Sequence, residues 1–303
     1  MQSAFLKIRA GDRVVVAAPS SPLADPAAFR AGARILAGRY AVNIPKAVYA
    51  RKGFLAGADS TRLRILVDAL HDARTRAIFA ARGGYGAARL LPLFEWESWY
   101  RDRIPMVGFS DVTALELAAL ALAGVGTVHG PCVSSLARQP AAYVDHLFRL
   151  LEDPGYDFAT PPRPLRSLGQ GRVVGSIVGG NLTMIDQLVG TPFLPDLAGC
   201  ILFIEDVGEA PYRIDRLLTH LGNAGVLDRI VGIVAGDFPR CRPRADGVSV
   251  GDVLLDLARR IRIPVAAGMP SGHGRHNWAF IQGSRVEIRC GYRGESAYIG
   301  PAA

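Results

Sequence analysis

The stretch VGFSDVTALELAALALAG, residues 107–124, indicates a strand that turns at once into a helix. The apolar run PMVGFS (105–110) leads into the turn, and VTALELAALALAG (112–124) spaces its apolar residues as helices do. Ser110 and Asp111, which lie between them, have two physically sound interpretations. Either side chain can cap the helix by accepting its free N–H groups, and the same tight turn can lift a serine hydroxyl into a cleft as a nucleophile.

The segments before this stretch alternate strands and helices in the same way. DRVVVAAPSSP (12–22) predicts a short buried strand and a turn, and DPAAFRAGARILAGR (25–39) predicts a helix that begins at Asp-Pro. The helix DSTRLRILVDALHDAR (59–74) and the strand RAIFAA (76–81) follow. This alternation is typical of a parallel sheet covered by helices on both faces, so it predicts an α/β fold.

A second α/β domain is predicted to follow a linker. The linker is placed at residues 151–170, which are rich in proline and glycine and lack apolar periodicity, between domains at 1–150 and 171–303. The closing WAFIQGSRVEIRCG (278–291) predicts a hairpin with a Gly-Ser turn. A junction between two domains is a favoured place for an active site.

The composition excludes several classes of protein. The 303 residues carry a net charge of +8, but the 32 arginines and three lysines are scattered, without a basic run or helix face. Nucleic acid is therefore not expected as a partner, and a small substrate bearing carboxylates suits the charge equally well. The four cysteines are far apart, and no His, Cys or carboxylate pattern indicates a metal site.

The sequence also predicts no membrane association. The first 22 residues contain an apolar run too short for an export signal. No stretch approaches the roughly 20 uninterrupted apolar residues that a membrane-spanning helix needs. We therefore expect a cytoplasmic protein.

Three polar groups follow predicted strands. Ser110 comes after IPMVGF, Glu205 and Asp206 come after CILFI, and His273 lies in the loop after IPVAAGM. Groups beyond the carboxyl ends of parallel strands collect in one crevice, and a hydroxyl, an imidazole and a carboxylate together form an activated nucleophile. The alternatives are a helix cap for Ser110 and a solvated turn for Glu205, and His276 competes with His273.

A glycine-rich loop, AARGGYGAARLLP (80–92), fits neither the Walker pattern nor G-x-G-x-x-G, so no nucleotide cofactor is expected. Gly83 and Gly84 would instead let backbone N–H groups approach a developing oxyanion closely. The N–H of Asp111, at the positive end of a helix, is the second predicted donor. The order Ser, acid, His is that of α/β-hydrolases, but Val112 stands where their G-x-S-x-G elbow has its second glycine.

The chain resembles the LD-carboxypeptidases, the serine peptidase family that includes muramoyltetrapeptide carboxypeptidases and the microcin C self-immunity peptidases. The resemblance extends over nearly the full chain. It rests on VVVAAPSSP, FLAGADSTRLRILVDAL, ARGGYGAARLLP, VGFSDVTAL, VHGP, GGNLTMI, LFIEDVGEAPYRIDRLLTHL and GMPSGHG, in that order.

This resemblance implies a catalytic triad of Ser110, Glu205 and His273. It also implies a Rossmann-like (flavodoxin-like) N-terminal domain, a C-terminal swivelling β/α domain, an active site at their junction, a homodimer and no cofactor. The implied reaction releases C-terminal D-alanine from murein tetrapeptides in the cytoplasm, where cell-wall fragments are recycled.

The sequence leaves the substrate pocket and the alternative functions open. GHGRHNWAFIQG (272–283) lacks the proline-leucine character expected of the family before its last glycine, which leaves the shape of the substrate pocket undecided. Arg82 and Arg213 are the candidates for pairing with a substrate carboxylate, because a guanidinium binds a carboxylate through two parallel hydrogen bonds. The alternative functions are hydrolysis of peptidyl or aminoacyl adenylates, as in the microcin branch, and ligand binding without catalysis.

Overall fold

The computed structural model describes residues 5–243, 245 and 247–302; the first four residues of the segment searched for an export signal lie outside that description. The strands of the described residues are β1 Arg13–Ala17, β2 Ala41–Asn43, β3 Thr75–Ala80, β4 Met106–Gly108, β5 Val128–His129, β6 Leu165–Gly169, β7 Gly171–Asn181, β8 Cys200–Glu205, β9 Gly232–Ala235, β10 Val265–Ala267, β11 Phe280–Ile281, β12 Arg285–Cys290 and β13 Ser296–Pro301. Their α-helices are α1 Pro26–Ala37, α2 Asp59–His71, α3 Trp96–Asp102, α4 Thr113–Ala118, α5 Val133–Leu136, α6 Ala141–Glu152, α7 Leu182–Leu188, α8 Pro211–Asn223 and α9 Val250–Ile261.

The first sheet has the strand order β2-β1-β3-β4-β5-β11. Strands β1 to β5 are parallel, and their order is that of flavodoxin-like folds. The order reverses between β1 and β3, so the loops that follow these two strands diverge and leave a crevice beyond their carboxyl ends. The glycine-rich loop follows β3, and Ser110 follows β4.

The second sheet closes into a barrel, β10-β6-β13-β12-β7-β8-β9. Strands β7, β8, β9 and β10 are parallel neighbours, and every residue of β8 is buried. This burial explains why CILFI reads as a continuous apolar run. The parallel-sheet domain and the second, β-rich domain confirm the predicted α/β class.

Two local predictions are wrong. Residues 165–169 of the predicted linker form β6, where Leu165 and Ser167 are buried and Arg166 is exposed. This alternation of period two is short, and the preceding prolines obscured it. The closing segment is not a hairpin, because β11 pairs with β5 of the first sheet whereas β12 pairs with β7 and β13 of the barrel. Residues 280–281, assigned to the second domain, therefore belong to the first sheet.

No helix among the described residues is both long enough and apolar enough to cross a bilayer.

Candidate active site

Ser110 lies in a sharp turn between β4 and α4. Its backbone has φ 67°, in the left-handed region that residues other than glycine seldom adopt. Neither Ser110 nor Asp111 caps the helix, because the 3-10 turn Ser110–Val112 and α4 both begin without a side-chain cap. The helix-cap interpretation is therefore wrong, and the serine side chain is available for other contacts.

The Ser110 hydroxyl lies against the ring of His273. Its Oγ is 2.8 Å from Nε2 of His273, across 163 residues of sequence. The other ring nitrogen, Nδ1, is 2.7 Å from Oε2 of Glu205, which also accepts the backbone N–H of His273 at 3.0 Å. A carboxylate can only accept, so it favours the tautomer with hydrogen on Nδ1, which leaves Nε2 free to accept the serine proton.

Glu205 is fully buried, and the loop that carries His273 passes directly over it. Gly272, with φ 100°, makes this approach possible, because a Cβ at that position would lie 2.4 Å from Glu205 Oε2. This glycine explains why the histidine loop can place both an N–H and a ring nitrogen on one carboxylate oxygen. His276 does not replace His273, since its ring packs against Tyr143.

Two further polar residues that the sequence analysis did not assign to the site orient the acid. Asn181, at the end of β7, is the parallel partner of Glu205. Its Nδ2 donates to Asp206 Oδ1 at 3.0 Å and lies 3.5 Å from Glu205 Oε1. Asp206 also accepts the N–H and the hydroxyl of Thr183. The signal that could have found Asn181 is its position at a strand end, which Ser110 and Glu205 share.

The glycine-rich loop lies against the serine turn. A Cβ on Gly83 would lie 2.8 Å from Ser110 Cβ and 2.9 Å from its Oγ. Gly84, with φ 122°, lies equally close to Ser21, since a Cβ on Gly84 would lie 2.4 Å from Ser21 Cβ. The loop therefore lies directly beside the serine hydroxyl, and the roles given to the amides of Gly84 and Asp111 stay predictions.

A cavity of about 240 Å³ opens beside these residues, lined by Ser110, His273, Arg82, Gly83, Gly84 and Arg138, among others. Nη1 of the Arg82 guanidinium donates to the carbonyl of Pro22 at 2.9 Å. The other predicted arginine is not in this cavity. Arg213 lies on α8, where its guanidinium contacts Glu209 and Tyr212. The second cavity arginine is Arg138, which the sequence analysis missed because no motif marks it.

His129 lies behind the site rather than in the cavity. It is fully buried, with its ring stacked on Phe280 and edge-on to Phe109 and Phe203. Burial lowers the pKa of His129 to about 3, so the ring is neutral at physiological pH. Among the described residues, no group of three or more His, Cys, Asp or Glu side chains is arranged to hold a metal ion.

A serine hydroxyl, an imidazole and a buried carboxylate joined by hydrogen bonds at strand ends of an α/β fold form the arrangement of nucleophilic hydrolases. Comparison with known families agrees with this class. Residues 14–130 match the LD-carboxypeptidase N-terminal domain, and residues 174–288 match the LD-carboxypeptidase C-terminal domain. The chain belongs to the LD-carboxypeptidase family.

Individual relatives extend over most of the chain. The murein tetrapeptide carboxypeptidase of Pseudomonas aeruginosa is 32% identical over 288 residues, 91% of this chain and 92% of that protein. A protein of Bacillus subtilis named as a probable murein peptide carboxypeptidase is 33% identical over 270 residues, 87% of this chain and 84% of its own. The crystal structure of the muramoyltetrapeptide carboxypeptidase from Oxalobacter formigenes is 28% identical, with TM-score 0.82 over 95% of this chain and 100% of that one.

The fold is also shared with a microcin C7 self-immunity protein, solved in complex with aspartyl sulfamoyl adenosine. That structure has TM-score 0.88 over 98% of both chains, but only 20% identity. At this identity the likeness concerns the fold alone.

Proposed function

We propose that this protein is a cytoplasmic serine LD-carboxypeptidase that releases C-terminal D-alanine from murein tetrapeptides during peptidoglycan recycling. The observation that supports this most directly is the hydrogen-bonded line from Ser110 through His273 to Glu205, which opens into a cavity with two arginines. Family membership supports the peptidase class, and the names of the relatives support the murein substrate.

In the proposed mechanism, Ser110 Oγ attacks the carbonyl carbon that precedes D-alanine while its proton passes to His273 Nε2. Glu205 accepts the Nδ1–H and stabilises the imidazolium that forms. The carbonyl oxygen becomes an oxyanion, held by the amides of Gly84 and Asp111. When the tetrahedral intermediate collapses, Nε2 returns the proton to the nitrogen of the departing D-alanine. Water then hydrolyses the acyl-enzyme by the same steps.

A carboxypeptidase must also recognise the free carboxylate of its substrate. Arg82 and Arg138 are the cationic residues of the cavity beside Ser110, so we assign the carboxylate to them. Gly83, which bounds the cavity, would leave room for the last residue of the peptide. Arg213 does not line this cavity and contacts Glu209, so its role in substrate binding stays a prediction.

The microcin-type reaction is the weaker candidate. Stacking of a nucleobase needs a free aromatic face. None of the three tryptophans, all within the described residues, lines the cavity; Trp96 stacks on Trp99, and Trp278 stacks on His146. Phe109 does line it, but its ring already packs on His273.

The test is to incubate the purified protein with a synthetic murein tetrapeptide that ends in D-alanine, with its all-L counterpart, and with an aminoacyl adenylate. We expect alanine release from the first peptide alone, and none from Ser110→Ala. Ser134→Ala is the matched control, because Ser134 lines the same cavity but donates to the carbonyl of Ala81. Cleavage of the all-L peptide or of the adenylate alone would refute the proposed substrate, and turnover by Ser110→Ala would refute the nucleophile.

Light scattering of the same sample tests the homodimer that the family resemblance implies.

A further inference from the structure

Two buried charged side chains hold one peptide group of the glycine-rich loop. The carboxylate of Asp111, 3% exposed, accepts the N–H of Ala87 at 2.8 Å. The guanidinium of Arg62, fully buried, donates to the carbonyl of Gly86 at 2.8 Å and also to that of Pro19. The N–H of Ala87 and the carbonyl of Gly86 belong to the same planar peptide bond, so fixing both atoms fixes the orientation of that plane.

The loop would otherwise have unusual freedom. Gly84 and Gly86 have φ 122° and 123°, and glycine pays the largest entropy for being held in one conformation. A side chain at Gly86 could not restrict the loop instead, because its Cβ would lie 2.5 Å from Leu55 and 2.9 Å from the Arg62 guanidinium. The restraint therefore has to come from outside the loop.

The two restraining residues connect the loop to different parts of the molecule. Asp111 is the immediate neighbour of Ser110, so the bond to Ala87 ties the loop to the serine turn. Arg62 belongs to α2 and pairs with Asp59, which also binds Arg89 in the last part of the loop. Because buried charges are expensive unless paired, this network explains how the guanidinium is tolerated at full burial.

We propose that the carboxylate of Asp111 and the guanidinium of Arg62 are positioning residues, which hold the glycine-rich loop at the distance from Ser110 where its amides meet the oxyanion. The inference rests on the proposed serine mechanism, but not on the identity of the substrate. It concerns the side chain of Asp111 and is independent of the role given to its backbone N–H.

The experiment measures the rate at which a fluorophosphonate labels Ser110, since the phosphonyl oxygen takes the place of the oxyanion whatever the natural substrate. We expect labelling to slow 10- to 100-fold in Asp111→Ala, because misplaced oxyanion donors lose much of the stabilisation that such donors provide. Asp111→Asn keeps an acceptor oxygen for the N–H of Ala87 and should restore most of the rate.

A second variant removes the donor instead of the acceptor. Ala87 has φ −62°, which suits proline, so Ala87→Pro deletes the N–H and sets the ring Cδ against the Asp111 carboxylate that accepted it. It should slow labelling like Asp111→Ala. Ser249→Ala, which removes the cap of α9, is the control for lost stability and should label at the wild-type rate. With the tetrapeptide, kcat should fall in both loop variants and KM should stay within about threefold.

Wild-type labelling rates in Asp111→Ala and Ala87→Pro would overturn the proposal. An equal slowing in Ser249→Ala would also overturn it, since the effect would then follow stability rather than position. Should Asp111→Ala not fold, the comparison of Ala87→Pro with Ser249→Ala decides alone. Normal labelling of the wild-type protein without release of alanine would refute the proposed substrate and leave this inference standing.

Discussion

Ser110 holds a backbone conformation that costs an L-residue about 1–2 kcal/mol. This strained turn directs Oγ toward His273 Nε2, 2.8 Å away, which is the contact that the conformation makes possible. The neighbouring residues must therefore leave the Ser110 side chain enough space. Gly83 faces Ser110 so closely that any side chain there would overlap it, although the backbone of Gly83 itself is not in the left-handed region. Gly83 is therefore needed for space rather than for flexibility.

This argument predicts the effect of Gly83→Ala. The added methyl would lie 2.8 Å from Ser110 Cβ and must displace either the loop or the serine. We expect alanine release to fall at least 100-fold, because a displacement of about 1 Å at a reacting group has that effect. Gly222→Ala is the control, since its new Cβ would meet Leu227 at an ordinary 3.7 Å. Near-normal activity in Gly83→Ala would show that Ser110 is not confined as described.

The carboxylate of Glu205 has a separate consequence. In Glu205→Gln the amide can present N–H instead of oxygen to Nδ1, which favours the tautomer with hydrogen on Nε2 and prevents the ring from accepting the serine proton. A comparable change in serine proteases lowers kcat about 10⁴-fold, and we expect at least 10³-fold here, measured as alanine release. Glu287→Gln, at a buried glutamate of β12 paired with Arg172, should leave kcat unchanged. A modest loss of kcat in Glu205→Gln would argue for a different partner of His273.

At the residue scale, polar side chains that follow predicted strands could be singled out from the sequence, although Asn181, at the end of β7, was missed. Glu205 and His273 follow β8 and β10, parallel strands of the barrel whose carboxyl ends lie at one edge, so their closeness could be expected from the sequence. Ser110 follows β4 of the other sheet, and its contact with His273 depends on how the two sheets meet. Arg138 follows the four-residue helix α5 and could not be found, since its place in the cavity depends on how that helix packs. The role given to Arg213 stays a prediction for the same reason, because helical spacing alone does not say which part of a helix approaches the site.

At the scale of elements, strands with strong local patterns could be predicted and strands defined by their partners could not. The first parallel strands and α1 lie where apolar runs and the Asp-Pro signal put them, and Asp25 caps α1. Strand β11 is two residues long and joins the first sheet through β5. Nothing within its own residues distinguishes a hairpin partner from an edge strand of a distant sheet.

The residue after β11 connects the two sheets, and its replacement should lower the free energy of unfolding. Gln282 Oε1 accepts the N–H of Gly179 at 3.0 Å, and its Nε2 donates to the carbonyl of Gly179 at 2.6 Å, all fully buried. Gln282→Ala leaves both backbone groups of Gly179 unpaired, which should lower the free energy of unfolding by about 2–4 kcal/mol in urea titrations. Gln187→Ala, at an exposed position of α7, should change it by less than about 0.5 kcal/mol. Equal stability of the two variants would mean that Gly179 finds other partners.

At the scale of the whole molecule, the segment before β11 also fastens the C-terminal part of the chain to a helix of the N-terminal part. His146 on α6 donates from Nε2 to the carbonyl of Ala279 at 2.8 Å, and its Nδ1 is 3.0 Å from the hydroxyl of Tyr156. Its ring stacks on Trp278 at 3.7 Å. All of these contacts are satisfied by a neutral imidazole, since Nδ1 can accept the hydrogen of the tyrosine.

This arrangement predicts how stability depends on pH. Burial lowers the pKa of His146 to about 4, against about 6.5 for a free histidine. Between these values the unfolded chain binds a proton that the native protein does not, so stability falls as pH decreases from 6.5 to 4 and is not lost further below that. In His146→Gln this contribution disappears, and the slope of the unfolding free energy near pH 5 should drop by about 1.4 kcal/mol per pH unit. Leu147→Val, at the next buried position of α6, should shift the curve in parallel without changing its slope. An unchanged slope in His146→Gln would mean that His146 binds a proton as readily in the native protein as in the unfolded chain, so that its pKa is not lowered by burial.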